Sequence, residues 1–65
     1  MNANTVAAKL KELRGEKTQA EIADALGIRR SAYNNYEAGL RIPKDVIKKQ
    51  IADYYGVSVD SIFFA

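Results

Sequence analysis

Apolar residues recur at three- and four-residue spacing along most of the 65-residue chain, and that period predicts a succession of short amphipathic helices. Val6, Leu10 and Leu13 share one face of a first helix running from Asn4 or Thr5 to Arg14, with Gly15 as its stop. Thr18-Gln19-Ala20-Glu21 reads as a capping box and starts a second helix at Gln19, whose apolar face is Ile22, Ala23 and Leu26 and whose end is Gly27. Ile28 restarts the pattern, and Ala32, Tyr33 and Tyr36 carry it through a third helix as far as Gly39. Pro43 suits the first turn of a fourth helix reaching Tyr55, with Val46, Ile47, Ile51 and either Tyr54 or Tyr55 inward. Ser58 caps a last short helix that turns Val59, Ile62 and Phe63 toward the core. No stretch alternates as a strand would, so the expected fold is all-α: a compact five-helix domain spanning residues 1–65, without internal repeat or linker.

The second and third helices carry the chemistry. Two helices cross steeply at close range only where a small residue marks the crossing and the link turns sharply, and Ala23 and Gly27 supply those two conditions. With Tyr33 and Tyr36 inward, Arg30, Ser31, Asn34, Asn35 and Ala38 are left on the opposite side of the third helix. Arg forks onto guanine, Asn onto adenine, and Ser reaches several base-edge groups, so this side is a candidate for reading DNA bases. Charge points the same way. The overall balance is only +2, but residues 29–49 hold Arg29, Arg30, Arg41, Lys44, Lys48 and Lys49 against Glu37 and Asp45, while residues 1–28 are neutral. A positive middle third suits a polyanion. Gln19 at a helix start, Arg29 before the reading helix, and Arg41 and Lys44 in the connector are the candidate phosphate contacts.

Composition narrows the function classes further. The chain has neither Cys nor His, which removes disulfides, the familiar zinc clusters, the commonest general base and the best thiol nucleophile. A carboxylate-only active site needs a cleft that so short a chain can hardly enclose, so an enzyme is disfavoured, and no metal and no cofactor are expected. The longest apolar run is Ile62 to Ala65 and the first residues lack a signal-peptide pattern, from which a cytoplasmic protein is expected. A domain of this size buries only roughly 60% of its unfolded surface, so self-association is the stabilising device left to it.

Leu13-Arg14, Thr18-Gln19, the Ala23 and Gly27 spacing, Tyr36-Glu37-Ala38-Gly39, Arg41-Ile42-Pro43 and Ile51-Ala52-Asp53-Tyr54-Tyr55-Gly56-Val57-Ser58 together resemble the helix-turn-helix domain of the Cro and phage-repressor, or Xre, family. The resemblance covers almost the whole chain and implies a lambda-repressor-like fold and a transcription regulator, a repressor by preference, that binds a near-palindromic operator in double-stranded DNA as a homodimer. It also implies a salt bridge between Arg14 and Glu37, tying the first helix to the end of the third. The chain departs from the family pattern in places. Its first loop is two residues shorter, Arg29 replaces the usual capping Ser or Thr, Ala38 replaces a frequent Asn, and Asp45 and Lys48 stand where Leu is common, which leaves Val46 and Ile47 to take over the packing. Because no separate oligomerisation domain follows, the dimer contact is expected from these same residues, with Phe64, off the inward stripe of the last helix, as anchor beside Ile62. Two other readings use the same fold: the antitoxin of a toxin–antitoxin pair, disfavoured by the lack of a disordered tail, and a pure protein-interaction module, disfavoured by the basic segment.

Overall fold

The computed structural model describes residues 1–65 as five helices with no strand: α1 Ala3–Arg14, α2 Gln19–Leu26, α3 Arg30–Glu37, α4 Asp45–Tyr55 and α5 Val59–Phe63. Local chemistry sets most of the ends. The Asn2 side chain accepts the N–H groups of Asn4 and Thr5, so α1 starts earlier than its apolar spacing suggests. Thr18 accepts the Glu21 N–H at 3.1 Å, which is the half of the capping box that forms, and Ser58 does the same for Ser61. Arg29 occupies the N-cap of α3 without a side-chain cap, so α3 begins at Arg30 and Ile28 belongs to the turn. Pro43 lies one residue before the extended Lys44 that precedes α4, rather than in its first turn. None of the five helices is long and apolar enough to cross a membrane.

One apolar cluster joins all five helices. Val6 and Leu10 of α1, Ile22 and Ala23 of α2, Tyr33 and Tyr36 of α3, Ile51 and Ala52 of α4, and Ile62 and Phe63 of α5 compose it. Burial of side chains of this size stabilises by about 1.5–3 kcal/mol each, so the cluster sets how the helices pack. α3 packs on both α1 and α2, and α5 bridges α1 and α4. The turn between α2 and α3 is sharp because Gly27 sits at φ 69°, ψ 29°, a left-handed conformation that costs an L side chain energy. From there the Ile28 N–H reaches back to the Ala23 carbonyl at 3.1 Å, closing α2 as α3 turns away. Ala23 is fully buried at the crossing.

Two inward assignments change in the structure. Val46 is 70% exposed, whereas Lys48, expected outside, is 9% exposed. The helical period explains the exchange: Ile51, Ala52 and Tyr55 put the buried side of α4 next to position 48, and position 46 falls opposite it. The Lys48 stem covers apolar surface, while its ammonium bonds Asp45 at 3.2 Å and lies 5.9 and 5.8 Å from the ring centres of Phe63 and Phe64. Of the two tyrosines ending α4, Tyr55 is the inward one, its hydroxyl 2.8 Å from that of Tyr33. Burial first, then the Tyr55 hydrogen bond, pushes the Tyr33 phenol far above its usual range. Ile62 is only 1% exposed, so it is a core residue and is withdrawn from any dimer contact.

This exchange on α4 predicts opposite sensitivities. In urea unfolding, Val46→Ser should stay within about 0.5 kcal/mol of the parent, as exposed substitutions do. Lys48→Ala should cost more than Val46→Ser because it removes packing, while Lys48→Met, which keeps the stem, should recover most of that loss.

Candidate nucleic-acid interface

The inward residues of α3 determine what it shows outside. Tyr33, Tyr36 and Glu37 are buried, so Arg30, Ser31 and Asn34 are exposed and Asn35 is half-buried on the remaining side. Ala38 follows the helix, exposed, with no polar side chain to add. Arg30 is not free in solution: its Nη2 donates to Asp24 Oδ2 at 3.1 Å, with both side chains 64% exposed. In the chain on either side of α3, Arg29, Arg41 and Lys44 are exposed and enter none of the ion pairs. Gln19 opens α2, whose first N–H groups have no intrahelical acceptor.

Beneath the outer side lies a sealed carboxylate. Glu37 is 1% exposed, and Arg14 meets it with two parallel bonds, Nε to Oε2 at 2.7 Å and Nη2 to Oε1 at 3.0 Å. The Gln19 amide adds a third, Nε2 to Oε1 at 3.0 Å. The remaining arm of Arg14 donates from Nη1 to the Lys17 carbonyl at 2.7 Å, which holds the short loop ahead of α2. Lys17 in turn donates to the Tyr54 hydroxyl at 3.1 Å, and that bond raises its ammonium pKa. The ends of α1, α2 and α3 are thus fastened to one another at a single buried charge.

Burial by itself pushes the Glu37 carboxyl upward, but the hydrogen bonds from Arg14 and Gln19 outweigh it and hold the group below its ordinary value of 4.5. The same bond from Glu37 raises the Arg14 guanidinium against the opposing effect of its burial. Both shifts favour the charged pair. Gln19, the expected phosphate contact, spends one of its two amide N–H donors on Glu37, which leaves the other and the backbone N–H groups of the first turn of α2 for an anion. The pairing of Asp24 with Arg30 is not legible in the sequence, because residues six apart lie outside the helical pair rule and meet only through the turn at Gly27.

A family model described as helix-turn-helix matches residues 10–62, which include α2, the turn and α3 in full. The chain belongs to the helix-turn-helix family of Cro, CI and Xre-type regulators. No curated protein and no solved structure gives a significant match to it. Membership makes it a DNA-binding helix-turn-helix regulator, with α3 in the place of the second helix of the motif. In this regulator the buried carboxylate belongs to that second helix, so the motif is anchored to α1 by charge as well as by packing.

The network predicts an asymmetric response. Arg14→Met strands Glu37 in the interior and should cost about 3–5 kcal/mol, whereas Glu37→Gln should cost less, because Arg14, with its side chain 23% exposed, can turn to water. A carboxyl with a depressed folded-state pKa contributes its full stability above its unfolded value near 4.5 and loses it as pH falls through the lower folded value. Thermal melts taken downward from pH 4.5 should therefore fall more steeply for the parent than for Glu37→Gln.

Proposed function

We propose that this protein regulates transcription by binding a near-palindromic DNA operator as a homodimer, with α3 in the major groove. Arg30, Ser31, Asn34 and Asn35 read base edges, and Gln19, Arg29, Arg41 and Lys44 contact phosphates. The observation that carries this reading is the outer side of α3, where four side chains with base-edge chemistry share one surface of a helix locked from behind by Glu37. Exposed, unpaired cations flank α3 along the chain, Arg29 directly before it and Arg41 and Lys44 in the connector after it, and these are the charges available to seat it on a duplex. Gln19 takes its phosphate contact through the start of α2, since its amide already holds Glu37.

The same geometry supports pairing. A specific complex buries about 1,000 Å² or more of protein. The regulator exposes 4043 Å² in all, so one copy would need to commit about a quarter of its surface to DNA, a demand that two copies share. Phe64, 59% exposed and held beside the Lys48 ammonium, is the dimer anchor in this reading.

Two measurements test it. Arg41→Ala should weaken binding to every duplex similarly and reduce the salt slope of the binding constant by roughly one unit; a changed base preference with an unchanged slope would refute the phosphate assignment. In sedimentation, Phe64→Ser should shift the parent from dimer toward monomer while the melt of its secondary structure changes little. Equally stable dimers of both proteins would place the contact elsewhere.

A further inference from the structure

We propose that Asp24 is a positioning residue for base recognition: its carboxylate holds the Arg30 guanidinium in the orientation from which it forks onto a guanine. The inference rests on the reading of Arg30 as a base contact and adds a second residue, on the other helix of the motif, to that reading. Arg30 is the first residue of α3 and Asp24 lies toward the end of α2, and the reversal at Gly27 brings Nη2 to 3.1 Å from Oδ2. That bond occupies one of the five guanidinium N–H donors, and those left over are enough for the two parallel bonds that guanine O6 and N7 require.

The pair is poorly placed to be a structural staple. Both side chains are 64% exposed, and an ion pair in water contributes little to a fold. The crossing of α2 and α3 is already set by the buried Ile22, Ala23 and Tyr33. What the pair does is select an orientation. An arginine in solution samples many rotamers, and losing them on binding weakens recognition; a carboxylate that orders the side chain beforehand removes part of that loss. Of the four exposed cations in α3 and the segments that flank it, Arg30 alone is paired, while Arg29, Arg41 and Lys44 remain unpaired. That division matches their tasks: a phosphate contact tolerates a mobile cation, whereas a fork onto one base requires a fixed plane. The charge of Asp24 also opposes DNA wherever Arg30 finds no guanine, so it lowers affinity for wrong sequences.

The test is selection from a duplex library with a randomised central segment, carried out in parallel with the parent, Asp24→Asn, Asp24→Glu, Arg30→Ala and the Asp24→Asn/Arg30→Ala double variant. The parent should enrich a guanine at one position of each half-site, and Arg30→Ala should lose it. Asp24→Asn should lower the preference for guanine at that position alone by about two- to fivefold, the scale of an exposed ion pair, while binding unselected duplex more tightly. Asp24→Glu should recover part of the preference, and the double variant should select as Arg30→Ala does. If Arg30→Ala loses the guanine but Asp24→Asn keeps it undiminished, or loosens every position alike, the role of Asp24 is overturned and the reading of Arg30 stands. If Arg30→Ala still enriches that guanine, the base-reading assignment itself is overturned.

Discussion

A single ionised carboxylate under the recognition surface constrains how the three helices around it can sit. Glu37 is deprived of water, so its charge is tolerable only with nearby donors, and those come from the last residue of α1 and the first residue of α2. Each donor fixes a helix end: Arg14 ties the end of α1 to the end of α3, and Gln19 ties the start of α2 to the same oxygen. Shifting any of the three helices along its axis would cost the buried charge at least one of its donors. Apolar packing tolerates such slippage more readily, because a methyl group has no direction to satisfy. The carboxylate therefore supplies register, while Ile22, Ala23, Tyr33 and their neighbours supply most of the burial.

That division of labour suits a helix-turn-helix regulator of this size. The core is thin, and nearly every side chain on the outer side of α3 is left unused by packing. The polar groups there make few commitments to one another. Arg30 is paired across the turn, while Arg29, Arg41 and Lys44 are exposed and unpaired.

At the other end of the molecule a cation does the work of a hydrophobe. Lys48 takes an inward position on α4, and its stem is buried as an apolar side chain would be. Its ammonium then lies beside two aromatic rings and the Asp45 carboxylate, so the last aromatic, Phe64, stays exposed but held in place. That placement is readable only from the packed helix: on α4 the inward side passes through position 48, and Val46 is left in solvent.

Helix number and order, the sharp turn at Gly27, every member of the core cluster except Ala52 and the polar side of α3 were legible in the sequence, because each follows from a local period or a short-range preference of the backbone. Apolar spacing at three and four residues needs no partner helix to be recognised. What remained hidden were contacts between residues far apart in the chain or unlike in kind. The Gln19 amide on Glu37, the Asp24 carboxylate on Arg30 and the Lys48 ammonium between two rings all depend on how helices are rotated against each other. Rotation about a helix axis is set by the packed whole, and two positions along α4, from Val46 to Lys48, exchange solvent for core while Ile47 between them stays half-buried. Ile62 shows the limit from the other side: its period places it inward with Phe63, and its full burial leaves nothing of it for a contact beside Phe64.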